Sequence, residues 1–245
     1  MRVMTYNIHK GIGGRDRLYR LERVIDAIRT QRPDIVCLQE VDRHVKRSRF
    51  DDQPTLLAET LEFEHIAYQF NHRVGEGRGP GTGPAGYGNL VLSREPITQR
   101  HNLSLRIRGR KNRRAQLVVI ETQSGPVRLI NWHLGLSEKE RHSQVAKLLE
   151  TDRFRRYAGM PTLLAGDCND WRNTLHRGAL ARNELAQITA PPSRFRSFPA
   201  YMPVGSLDKA FCCNRVVVER AHIVKSRLTS RASDHLPLVI DFKLS

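Results

Sequence analysis

Six short polar motifs stand at the ends of apolar, strand-like runs: Tyr6-Asn7, Gln39-Glu40, Asn131-Trp132-His133, Gly166-Asp167-Cys168-Asn169, Leu207-Asp208 and Ser233-Asp234-His235. They are spread from the first residues to the last, so they can share one site only if the strands carrying them lie side by side. Amides, two histidines and four carboxylates at strand ends suit one task above others, holding a divalent metal against a phosphate ester. Mg²⁺ takes hard oxygen ligands, commonly one or two carboxylates with waters and phosphate oxygens. Glu40, with Asn7 or Asp234 beside it, would supply that set.

Asp167 and Asn169 lie two apart after Gly166, so a tight strand-exit loop can turn both toward one ligand. The same spacing also makes an Asx-turn, in which such side chains only bond their own backbone. His235 needs an orienting carboxylate other than its neighbour Asp234, and the distant Asp208 would serve, fixing the tautomer as in a hydrolase triad. His133 offers a second imidazole and Asn131 a further amide.

Stepping from these residues to what must carry them, Val3–Ile8 reads as a short strand. A helix follows with Leu18, Leu21, Val24, Ile25 and Ile28 at helical spacing and Asp16 as its N-cap. Ile35–Leu38 is a continuous apolar run, as in a strand buried on both faces, with Gln39-Glu40 at its C-terminal end, where open α/β sheets bind ligands. Leu56, Leu57 and Leu61 suggest a helix and His65–Phe70 a strand; the glycine-dense stretch Arg73–Gly88 reads as a mobile surface loop. It lacks the Gly-Lys-Ser/Thr ending of a phosphate-cradling loop. Strands are expected over 90–93, 99–105, 115–122 and 127–134. The tip between the middle two, Arg106–Arg114, carries six basic residues and is either solvated or a phosphate-contacting arm built on Arg110, Lys111, Arg113 and Arg114. Ser137 caps the next helix with Glu140 at the capping-box position, and Val145, Leu148, Leu149 and Tyr157 form its apolar stripe. Strand–helix–strand followed by strand-rich stretches, occurring twice, predicts two packed sheets with helices outside.

The 245 residues hold 41 Lys+Arg against 25 Asp+Glu, a net charge of +16 that favours polyanionic partners without separating nucleic acid from an acidic membrane surface. No linker divides the chain, so residues 1–245 are read as one domain. No secretory signal and no apolar run near the ~20 residues of a membrane span is visible. Four cysteines without zinc-ligand spacing suit free thiols in a cytoplasmic protein.

In order and along nearly the whole chain, the six motifs resemble those of the endonuclease/exonuclease/phosphatase family, and most closely its short bacterial members. The resemblance implies an α/β fold of the DNase I-like type, a four-layer sandwich of two packed mixed β-sheets flanked by helices. It implies metal-dependent hydrolysis of a phosphoester by a monomer, with Mg²⁺ as cofactor and Mn²⁺ able to substitute. Glu40 would hold the metal, helped by Asn7, with Asp234 near metal or water. Asp167 would orient or deprotonate the attacking water, and Asn169 would bond the charged phosphorane-like state. His235, oriented by Asp208, would hold or protonate the phosphate, and His133 would contact a non-bridging oxygen. Gly86-Tyr87-Gly88-Asn89 matches the family's mid-chain strand, and Tyr87 or Asn89 could reach the phosphate. The chain departs from the exonuclease III type at Leu207-Asp208-Lys209-Ala210-Phe211 and lacks its aromatic DNA-reading loops. The expected substrate is nucleic acid, with a phospholipid or phosphorylated metabolite as the alternative, and a non-catalytic binding module on the same fold as the reading from another class.

Overall fold

The computed structural model describes residues 1–77 and 83–245. In chain order the strands are β1 (Arg2–Asn7), β2 (Ile35–Arg43), β3 (His65–Glu76), β4 (Pro84–Ser93), β5 (Ile97–Ser104) and β6 (Arg114–Thr122). They continue with β7 (Gly125–His133), β8 (Thr162–Asp167), β9 (Ala186–Gln187), β10 (Asp208–Cys212), β11 (Val216–Ile223) and β12 (Leu238–Leu244). One six-stranded sheet runs β11-β12-β1-β2-β4-β3 and the other β5-β6-β7-β8-β10-β9. Each is mixed, with a single parallel pair near its centre, β1 with β2 and β7 with β8. The main helices are α1 (Leu21–Gln31), α2 (Gln53–Thr60) and α3 (Glu138–Glu150). The fold is the expected DNase I-like sandwich.

Alternation along each strand explains the layers, because successive side chains face opposite sides of a sheet. Val3, Ile35, Cys37, Leu129, Leu163, Ala165, Leu238 and Ile240 meet between the two sheets. Their neighbours Met4, Tyr6, Val36, Leu38 and Val239 pack under Val24 and Ile28 of α1 and Leu57 of α2. Ile130, Trp132 and Leu164 pack under Val145 and Leu148 of α3. Strands buried on both faces read as unbroken apolar runs for this reason.

Toward the C-terminal ends of the parallel pairs the inner face turns polar. Gln39 Nε2 donates to Asn131 Oδ1 at 2.8 Å and to Thr5 Oγ1 at 3.0 Å. Asn131 Nδ2 donates to the Leu38 and Leu90 carbonyls at 3.0 and 3.1 Å. These buried amides pin one sheet to the other at fixed register, and one step further on each strand ends in the site.

Several local expectations are corrected. Asp16 does not cap α1; it accepts from Leu18 N and ion-pairs with Arg23 at 2.7 Å, and the helix starts later, after Arg20, without a side-chain cap. Ser137 does cap α3, accepting from Glu140 N at 3.3 Å, but the Glu140 carboxylate accepts from Gln144 Nε2 instead of completing a capping box. The helix stops at Glu150, so Tyr157 lies beyond its stripe. The Arg73–Gly88 stretch is no surface loop over most of its length: 73–76 and 84–88 extend β3 and β4 as paired strands, while its 78–82 segment lies outside the described residues. Glycine density suggests a loop, but Gly86 and Gly88 instead let β3 approach, since a side chain at Gly88 would meet the Gln69 carbonyl at 1.7 Å.

Candidate active site

The site is built from the last inward-facing residue of each central strand: Asn7 ends β1, His133 ends β7 and Asp167 ends β8, while Asp208 opens β10 from the opposite direction. The registers bring them together, pairing His133 with Asp167 and Asp208 with Asp167. Asp167 is positioned by Gly166, whose φ of +149° and whose place 2.0 Å from the Trp132 carbonyl, measured from where a Cβ would stand, exclude any side chain. Glu40 arrives differently. Between Leu38 and Val41 the β2–β4 register shifts by one residue, a β-bulge, and Glu40 takes a left-handed φ of +57°. Val41 then returns to the helix-side core, so Glu40 is the inserted residue, turned out to line the cavity.

Asp167 Oδ2 is the hub of the buried half. It accepts from Asn7 Nδ2 at 3.0 Å and lies 3.3 Å from His133 Nε2 and 3.7 Å from His235 Nε2. Its Oδ1 accepts from Asn169 N at 2.9 Å, the Asx-turn the spacing allowed; the turn and a shared site coexist here. Asn169 Nδ2 donates one hydrogen to the Leu134 carbonyl at 3.1 Å, leaving the second for a ligand. His235 Nδ1 meets Asp208 Oδ2 at 2.8 Å, and Ser197 Oγ donates to the same oxygen at 2.5 Å. Ser233 Oγ donates to the Asn7 carbonyl at 2.7 Å, fastening the chain's last motif to its first.

Electrostatics separate the groups. Burial disfavours the Asp167 anion and, with Asp208 nearby, pushes its pKa up to about 6 despite His235. Burial alone would lower His235, but Asp208 and Asp167 prevail and raise it to about 10, so it is an imidazolium at neutral pH. His133 is driven well below its ordinary value by burial and by Arg113, outweighing Glu40, and stays neutral. Glu40 is the opposite case: burial opposes its charge, yet the Lys10 ammonium, which also hydrogen-bonds it, brings it down to about 2.

These groups floor a cavity of about 560 Å³. Glu40, Asn7, Asp234, Asp167, Asn169, His133 and His235 line it, as do Arg110, Lys111 and Arg113 of the basic arm. Arg113 is 5% exposed, and its Nε has no hydrogen-bond partner among the described residues. Not every expected residue arrives. Asn131 is consumed by the inter-sheet network described above, and Asn89 is fully buried between Asn71 and the Arg114 carbonyl. Their polarity suggests substrate contact, whereas both amides satisfy backbone carbonyls in the interior. Arg114 faces a separate cleft with Gln69, Asn71 and Asn102. Tyr87 stands behind the cavity wall, with Lys10, Lys111 and Arg47 at 5.8, 5.6 and 5.5 Å from its ring.

Sequence reasoning missed Lys10, whose ammonium ion-pairs with Glu40. It also missed His9, with Nδ1 3.9 Å from Asp234, and Ser197, Phe198 and Leu136. The signal for the first two was present, since Asn7-Ile8-His9-Lys10-Gly11 continues the opening motif without a break.

Two groupings could hold a metal. The ligand atoms of Asp167, Asp208 and His235 lie within 4.8 Å of one another, all buried. Asp208 Oδ2, however, is already shared by Ser197 and His235, while its Oδ1 has no partner. Glu40, Asn7 and Asp234 offer oxygen donors at the more open side, and the positive charge of Lys10 already gathers there. That side fits a hard cation better, and the trio fits proton handling better.

A two-sheet sandwich with this cluster at the ends of its central strands is the architecture of a phosphoesterase. The chain matches the endonuclease/exonuclease/phosphatase family over residues 4–235 and belongs to it. It is 32% identical to YbhP of Escherichia coli strain K12, a protein described as uncharacterized, over 99% of this chain and 96% of that one. The solved structure of an endonuclease/exonuclease/phosphatase from Beutenbergia cavernae superposes with a TM-score of 0.83 at 25% identity, covering 100% of this chain and 72% of that one. A functionally unknown conserved protein from Enterococcus faecalis has the same fold, with a TM-score of 0.74 at 20% identity and full coverage of both chains.

Proposed function

We propose that this chain is a Mg²⁺-dependent phosphodiesterase, with Mn²⁺ able to substitute. The observation that carries the reading is the splitting of one cluster into an anion at Glu40, a neutral His133 and an imidazolium at His235, all facing a cavity rimmed by Arg110, Lys111 and Arg113. Bound beside Glu40, Asn7 and Asp234, a divalent cation would neutralise charge on the phosphate and the leaving oxygen. Asp167, once ionised, accepts a proton from the attacking water, held in place by Asn7 and the Asn169 amide. The His235 imidazolium donates from Nε2 to a phosphate oxygen, its ring oriented by Asp208 at Nδ1. The second Nδ2 hydrogen of Asn169 and the Arg113 guanidinium meet the growing negative charge.

The net charge of +16 supports nucleic acid as substrate. A specific observation favours a phospholipid instead: two apolar side chains, Leu136 and Phe198, line the cavity beside its charged groups. A non-catalytic module is disfavoured because every chemistry-bearing side chain of the six motifs is present. Hydrolysis of a soluble aryl phosphodiester by metal-stripped protein, with and without added Mg²⁺, tests the reading. Metal-dependent turnover abolished by His235→Ala supports it; turnover unaffected by stripping or by the substitution refutes it. A panel of single-stranded DNA, RNA and phospholipids then ranks the substrates.

A further inference from the structure

Of the nine large hydrophobic residues exposed among the described residues, five stand on segments that line the cavity or adjoin its lining residue Phe198. Three ride on a hairpin that closes where Gly205 N donates to the Phe198 carbonyl at 2.8 Å: Tyr201, Met202 and Val204, exposed by 53, 62 and 56%. Trp171, 56% exposed, leans over the hairpin's base, where a side chain at Gly205 would meet its ring at 2.7 Å. Leu136, 73% exposed, lines the cavity together with Phe198. Leaving such side chains in water is costly, and a cluster of them marks a contact surface.

Charge identifies the partner. The flank of the hairpin is a groove of about 580 Å³ lined by Tyr201, Arg15, Arg227, Arg231, Ser230 and Asp16. Asp16 is already paired with Arg23 at 2.7 Å, so the groove keeps a cationic excess. Arg172 is exposed beside Trp171, and Arg110 and Lys111 are exposed where they line the cavity. Apolar tips ringed by arginines match an anionic bilayer, whose acyl–headgroup boundary takes the tips while its phosphates take the guanidiniums. A polynucleotide matches less well. Trp171 and Tyr201 could stack on bases, but Met202, Val204 and Leu136 have no aromatic face to offer.

We propose that this face seats the protein on anionic phospholipid membranes. The hairpin tip, Trp171 and Leu136 enter the acyl–headgroup boundary, and Arg15, Arg227 and Arg231 contact lipid phosphates. The inference deepens the phosphoesterase reading and rests on it for the meaning of the cavity, which opens on the same face. Phe198 joins the two, its ring 5.8 Å from Trp171 and 4.9 Å from His235.

The chain carries its own reporter, because of its two tryptophans Trp132 is fully buried and Trp171 is not. Emission should shift to the blue when phosphatidylglycerol vesicles are added and stay unchanged with phosphatidylcholine vesicles. Met202→Asp with Val204→Asp should weaken vesicle partitioning at least about tenfold, and Arg227→Glu and Arg231→Glu by roughly fivefold per charge removed. Circular dichroism confirms that these surface variants are folded. No shift with phosphatidylglycerol, or wild-type partitioning in the folded double variant, overturns the proposal. A shift produced by a single-stranded oligonucleotide and not by vesicles also overturns it, in favour of a nucleic-acid face. Because this readout needs no turnover, vesicle binding without hydrolysis of a soluble diester would sink the hydrolase reading alone, and hydrolysis without vesicle binding would sink the docking face alone.

Discussion

The two poles of the site are built from the same kinds of side chain and behave in opposite ways. At the inner pole Asp167, Asp208 and His235 are sealed from water and clustered together, and the pKa values of Asp167 and His235 are raised to about 6 and about 10. At the outer pole Glu40 and Asp234 keep 16 and 28% of their side-chain surface, and cations hold Glu40 ionised down to a pH of about 2. A carboxylate buried among like charges becomes a proton carrier, whereas one held beside cations becomes a fixed anion. Position, not residue type, divides the labour.

That contrast breaks most sharply at His235. Replacing it with alanine removes the only imidazolium of the inner pole, and turnover of a soluble diester should fall by roughly 10³–10⁴-fold with the fold intact by circular dichroism. Asp167→Asn should cost roughly 10²–10³-fold and change the pH profile as well. Wild-type turnover should climb as pH rises through about 6, where Asp167 loses its proton, and decline near 10, where His235 loses its own. The asparagine variant should keep the alkaline limb and lose the acid one, and an unchanged profile would remove Asp167 from the proton path.

At the outer pole the same kind of change should act on cation binding. Glu40→Gln should weaken Mg²⁺ binding in a calorimetric titration by about tenfold or more, because a carboxylate ligand has become a neutral amide. Lys10→Met should have the smallest effect and the opposite sign. With the competing ammonium gone from Glu40, Mg²⁺ affinity should rise a few-fold. Tighter binding in Glu40→Gln, or weaker binding in Lys10→Met, would show that the outer pole is not the cation site.

The sequence made the ends of strands legible because doubly buried strands are apolar until they meet the site, so the first polar residues after Leu38, Ile130 and Ala165 stand out. It could not show which of those residues face the cavity. Asn131 and His133 lie two apart on the same inner face, yet one is used up by the Gln39 amide and two carbonyls and the other reaches the floor. Only depth along the strand separates them. The docking face was illegible for a related reason. Met202 and Val204 are ordinary core residue types, and they are exposed because they stand at the tip of the hairpin that closes between Phe198 and Gly205. Lys10 escaped notice because a lysine after a strand is commonly solvated, and its role appears only once β2 places Glu40 against it.

The bulge at Glu40 works like a frameshift in a two-letter code. Upstream of it every odd-numbered residue of β2 is written for the inside, and downstream the reading resumes one letter later with Val41 among the helix-facing side chains. A one-codon deletion at Gln39 or Glu40 would therefore do more than lose a ligand. It would either leave the strand with regular pairing and no carboxylate in the cavity, or push the remaining carboxylate into the buried amide network that joins the sheets. Glu40 can be replaced with little risk to the fold, whereas the spacing that presents it has no spare letter.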